Sequence, residues 1–137
     1  MRAAGWIALF AFCSSGFAQT THWVETWTAA QQPPRPIAGS PSPSGFSNQT
    51  LRMILHTTIP GNRLRLEFAN TCVTAALTIG DAHAALRANE SSIVPASDRA
   101  LTVNGKGSFT IPPGGLMITD PVNLDLPALA DLMVSVY

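Results

Sequence analysis

Leu51-Arg52-Met53-Ile54-Leu55-His56-Thr57-Thr58-Ile59, then Pro60-Gly61-Asn62, then Arg63-Leu64-Arg65-Leu66-Glu67-Phe68, is the stretch that decides the fold class. Side chains alternate across a pleated strand with a period of two. In the first run Leu51, Met53, Leu55, Thr57 and Ile59 therefore face one way, and Arg52, Ile54, His56 and Thr58 the other. The second run alternates more cleanly: Leu64, Leu66 and Phe68 inward, Arg63, Arg65 and Glu67 outward. Proline pre-sets φ and glycine opens positive φ between the runs, so the pattern predicts an antiparallel hairpin with one solvated face.

The chain on either side reads the same way. Strands are expected at Ala76–Ile79, Ala82–Arg87, Leu101–Val103, Ser108–Ile111 and Leu116–Thr119. Asn104-Gly105 and Pro112-Pro113-Gly114-Gly115 supply the turns. Short strands at close spacing, without a long amphipathic helix or an internal repeat, predict an all-β fold of β-sandwich or jelly-roll type. Leu132, Val134 and Val136 alternate with Met133, Ser135 and Tyr137, a strand with no turn residue to close it. We therefore expect the coding sequence to continue past Tyr137.

Residues 1–18 have the layout of a secretory signal. Arg2 is the positive n-region, Ala3 to Phe12 the uncharged apolar run, and Gly16-Phe17-Ala18 the cleavage region. That run is too short to span a membrane as a helix. A secreted product, extracellular or periplasmic, is expected. Residues 19–30 are expected to form the first strand, with Trp23 and Trp27 on one face. Two indoles so placed usually mean core or interface packing, with a ligand-stacking surface as the sharper alternative. Residues 31–49 carry Pro33, Pro34, Pro36, Pro41 and Pro43 among glycines and serines and read as a loop. Residues 50–137 are the sandwich module, expected to be incomplete at its C-terminus.

Composition excludes several functions. Eight basic and eight acidic residues balance, without a run of like charge. A nucleic-acid partner has no electrostatic footprint, and an anionic membrane surface has nothing to attract it. Cys13 would leave with the signal, so Cys72 has no disulfide partner and is expected to be a small buried apolar residue.

The chemistry-bearing residues are sparse. There is no Gly-x-Ser-x-Gly elbow, no phosphate-cradling glycine loop and no His-Glu-x-x-His helix. His22, His56 and His83 are far apart in sequence. Asp81 and His83 would share a strand face, where a structural polar pair is the simpler reading, since two ligands do not make a metal site. No catalytic residue, metal ligand or cofactor is assigned from these residues.

Several short motifs, in order, resemble the secreted bacterial SGNH (GDSL-type) hydrolases. Trp23-Val24-Glu25-Thr26-Trp27-Thr28-Ala29-Ala30 resembles their Trp-Val-Gly-Thr-Trp-Ala-Ala opening, with Glu25 in place of glycine. The likeness continues through Asn48–Thr57, Gly61–Leu66, Phe68-Ala69-Asn70 and Leu77–His83. It runs on through Ser97-Asp98-Arg99, Ile111–Gly114, Asp120-Pro121-Val122 and Leu129–Leu132. In that family a β-rich region of this kind precedes an α/β hydrolase domain. That later domain holds a Gly-Asp-Ser nucleophile, a Gly and an Asn for the oxyanion hole, and an Asp-x-x-His pair. Gly80-Asp81-Ala82 lacks the serine hydroxyl, and Asp81 and His83 are one residue too close for Asp-x-x-His. The resemblance therefore implies a non-catalytic module. Its partner would be an SGNH catalytic domain in the same parent chain, which would act on an ester or acylated glycan. A free-standing carbohydrate-binding sandwich, stacking sugars on Trp23, Trp27 and Tyr137, is the alternative.

Overall fold

The computed structural model describes residues 22–33, 46 and 48–137. The expected signal 1–18 lies outside the described residues, as do 34–45 and 47 of the expected loop. The strands are β1 (Leu51–His56), β2 (Gly61–Leu64), β3 (Glu67–Asn70), β4 (Leu77–Ile79), β5 (Ala82–Asn89) and β6 (Ser92–Ile93). They continue with β7 (Arg99–Ala100), β8 (Phe109–Ile111), β9 (Gly115–Ile118), β10 (Val122–Leu126) and β11 (Asp131–Val136). A single 3-10 turn, Pro95–Ser97, is the one helical element among the described residues. The protein is all-β, as expected.

One sheet has the order β1-β11-β5-β6, with β7 also on β5. β11 is central and antiparallel to both neighbours, so Leu55, Leu132 and Leu86 lie side by side across three strands. Opposite it, β2 pairs with β10 and β3 with β9. These two ladders join through Leu66 and Thr119. The Leu66 N–H donates to Thr119 Oγ1 at 2.9 Å, and the Thr119 N–H donates to the Leu66 carbonyl at 2.8 Å. β4 pairs with β8. Inward residues of both layers form one core: Leu55, Ala82, Ala84, Leu132 and Val134 from the first, Leu64, Ile79, Phe109, Ile111, Leu124 and Leu126 from the second. This is sandwich-like packing, in which two apolar faces exclude water from each other.

The expected hairpin does not form. β1 pairs with β11 and β2 with β10, so Thr57 to Pro60 carries the chain from one sheet to the other. Thr57 ends the β1 ladder by donating both its N–H and its hydroxyl to the Ala130 carbonyl, at 2.8 and 2.9 Å. Thr58 and Ile59 then donate their N–H groups to Thr26 Oγ1 at 3.0 and 2.9 Å. Alternation fixes which side chains face inward and leaves the pairing partner open. Crossing over lets Leu55 and Leu64 meet the same core from opposite layers.

The first expected strand is also corrected. The described residues of 19–30 join no β-ladder. They run as a strap across the Thr58–Ile59 crossing, tied there by Thr26. The Leu101–Val103 strand reduces to a bridge between Val103 and Lys106, with bonds of 2.9 and 3.1 Å. Asn104 and Gly105 do make the expected tight turn, with φ of 51° and 74°. Both angles are positive, as a two-residue hairpin turn of the primed type requires.

Candidate functional site

A cleft of about 990 Å³ lies between the strap 22–32 and the crossing, β2, β3 and the loop at Thr71–Val73. Its strap side is fixed at two points: Thr26 on Thr58 and Ile59, and the Thr71 hydroxyl donating to Gln31 Oε1. Trp23 and Trp27 both line it. Trp23 is half-buried, with the guanidinium carbons of Arg65 and Arg63 at 4.4 and 5.8 Å from its ring centre. A cation over an indole face is attracted by the ring quadrupole. Trp27 is the more open of the two, 44% exposed. Tyr137 is not part of this lining. Its hydroxyl donates to Asn48 Oδ1 and its ring rests on Gly80, where an added Cβ would come within 3.2 Å of Tyr137 Cδ1. The three aromatics of the carbohydrate-binding alternative therefore do not share one platform.

Two histidine–carboxylate clusters lie elsewhere. The His83 Nδ1–H donates to Asp98 at 3.0 and 3.2 Å, and Nε2 is 3.4 Å from Asp81 Oδ2. The expected Asp81–His83 proximity is present, and Asp98 completes it from the segment after the 3-10 turn. Both ring nitrogens face carboxylates, so neither is left to activate a hydroxyl. The second cluster was not legible in the sequence. The His56 Nδ1–H donates to Asp131 Oδ1 at 2.9 Å, and Arg87 donates to Oδ2 at 2.8 Å. His56 and Asp131 are directly opposed in the β1–β11 ladder, so only strand register brings them together. Neither cluster has a serine, threonine or cysteine hydrogen-bonded to its imidazole among the described residues. Nor, among the described residues, is any group of three or more metal-ligating side chains placed to hold an ion.

Cys72 corrects the sequence expectation: it is exposed, in the turn after β3. Thr71 and Cys72 lie in the exposed turn that begins one residue beyond buried Asn70.

Two carboxyls sit below their ordinary range. Asp120 is lowered by the Thr102 hydroxyl at 2.6 Å, then by the Gly105 N–H at 2.7 Å and the Asn104 N–H at 3.2 Å. Asp131 is lowered first by His56 and then by Arg87. A depressed carboxyl contributes stability that is fully present above its unfolded pKa of about 3.9 and lost as pH falls through its folded value. The urea midpoint is therefore expected to hold from pH 7 to about 5 and to fall below about 4. Asp120→Asn should flatten that fall. An unchanged acid slope in Asp120→Asn would remove Asp120 from the account.

The fold and these clusters define an all-β sandwich-like chain with a cleft lined by Trp23 and Trp27 and no nucleophile–base pair among its described residues. No protein-family model matches the chain, and no curated protein matches it. None of the described helical residues forms a helix long and apolar enough to cross a membrane.

Proposed function

We propose that this chain is the non-catalytic, β-rich N-terminal module of a secreted SGNH-type ester hydrolase. The parent reaction would be carboxylic ester hydrolysis through a serine acyl-enzyme, carried by a catalytic domain elsewhere in the same parent chain. The observation that carries the reading is chemical. The motifs of the resemblance fall on the strap, the crossing and the sandwich strands, and both histidine–carboxylate clusters among them lack a hydroxyl or thiol partner among the described residues. Gly80, in the Gly80-Asp81-Ala82 triplet, serves as a seat for the Tyr137 ring, with its N–H donating to the Tyr137 carbonyl. A role in packing accounts for the triplet without catalysis.

The chain alone is expected to hydrolyse p-nitrophenyl acetate and butyrate no faster than the buffer. The coding frame beyond the Tyr137 codon is expected to stay open and to encode Gly-Asp-Ser, a later Asn and an Asp-x-x-His. A stop codon directly after Tyr137 would sink the proposal. Ester turnover by this chain that survives His56→Gln and His83→Gln would show instead that a site of another kind is present.

A further inference from the structure

The cleft under the strap has a lining that its packing does not explain. Val24, Trp27, Ile59, Val73 and Ile118 all face it, and each is 40% exposed or more. Apolar side chains gathered around one concavity leave a contiguous surface in water, which is the pattern of a ligand groove. The volume, about 990 Å³, lies at the top of the roughly 300–1,000 Å³ range of small-molecule sites.

The charge at the rim narrows the ligand. Arg63 and Arg65 lie over the same indole, Trp23, so two like charges are held as neighbours. Among the described residues neither guanidinium has an ion-pair partner, although Glu25 and Glu67 also line the cleft. Two neighbouring guanidiniums without a counter-ion form a local site for an anion, and their planar donor forks match a carboxylate. Neither Arg63 nor Arg65 donates a side-chain hydrogen bond among the described residues, so their N–H donors remain available to a ligand.

From these two features we infer that the cleft binds a carboxylate with an alkyl tail. The head group pairs with Arg63 and Arg65, and the tail lies along Trp27, Ile59 and Ile118. This site stands on the cleft's own chemistry and does not depend on the ester-hydrolase reading.

The probe is sodium dodecanoate, kept below its micelle concentration, titrated into the full chain by calorimetry with tryptophan fluorescence followed in parallel. Saturable binding with a change in indole emission is expected. Sodium acetate has the head without the tail, and 1-dodecanol the tail without the head. Both are expected to bind far more weakly. Hydrogen bonds to charged groups contribute more than neutral ones, so the Arg63→Gln, Arg65→Gln double variant should weaken dodecanoate by about tenfold or more. Ile118→Asn, on the exposed apolar wall, gives a second variant that leaves both charges in place and should also weaken it. Both variants alter exposed side chains, and an unchanged urea midpoint confirms the fold. No saturable dodecanoate binding overturns the inference. So does equal binding of dodecanoate and dodecanol with no loss in the double arginine variant.

Discussion

Leu132→Ala is expected to cost about 2–5 kcal/mol, the largest effect of any single substitution considered for this chain. Leu132 is 1% exposed, in the central strand of the five-stranded sheet, between Leu55 on one neighbour and Leu86 on the other. Truncation removes buried methyl groups and leaves a void that three strands cannot close without breaking register. A domain of this size holds only about 5–15 kcal/mol in total, so the loss takes a large share of it. The melting temperature should fall by roughly 8–40 °C, at about 4–8 °C for each kcal/mol. Leu129→Ala is the control. Leu129 is three residues away and 68% exposed, and its truncation should shift stability by less than about 0.5 kcal/mol. Thermal unfolding followed by far-UV circular dichroism measures both. Equal shifts in the two variants would mean that β11 is not the centre of the core.

The residues themselves explain how far the sequence could be read. Alternation placed Leu64 correctly inside, because a strand's buried face is a local property, whereas Met53 and Ile59, given the same face as buried Leu55, are exposed. It could not place β1 beside β11, which follows it by about 80 positions, since pairing depends on the whole sheet. Pro60-Gly61 read as a hairpin turn with glycine at positive φ, but Gly61 opens β2 without positive φ, and Thr57 to Pro60 leads across the sandwich instead of back along the same sheet. β10 was missed although Val122, Leu124 and Leu126 alternate with Asn123 and Asp125. Pro121 and Pro127 bracket it, and proline cannot donate to a ladder. In the strap, Trp23 and Trp27 read as packing or interface residues, and both line the cleft. The β-propensity of its threonines and tryptophans misled, because Thr26 spends its hydroxyl on the crossing and the segment joins no ladder. Neither the His56–Asp131–Arg87 cluster nor the gathering of two arginines on Trp23 leaves any trace in local spacing.

Asn70 shows how one buried polar group can hold several segments, and its substitution is expected to be the second most costly. Asn70 is buried at the end of β3. Its Nδ2 donates to the carbonyls of Ala75, Ile111 and Pro112 at 2.9, 3.2 and 3.3 Å, and its own carbonyl accepts the Gly114 N–H at 2.9 Å. One amide thus joins the loop before β4 to the turn between β8 and β9. Asn70→Ala strands acceptors that burial has removed from water and is expected to cost about 2–3 kcal/mol. Asn70→Asp should be worse at pH 7, because a carboxylate then faces three carbonyl oxygens with no proton to donate. In the folded state the neutral acid is preferred, since its O–H can donate, so the folded pKa rises above the unfolded value of about 3.9. The sign is the reverse of that for Asp120. The protonated form is retained below about pH 4, and stability is lost as pH rises from there. Urea unfolding of both variants at pH 7 and near pH 4 separates the two effects. Asn70→Asp should recover relative to Asn70→Ala in acid, although the parent chain itself weakens there. An aspartate variant as stable as the parent at pH 7 would show that the three carbonyls find water or other donors, and that the amide is not what joins these loops.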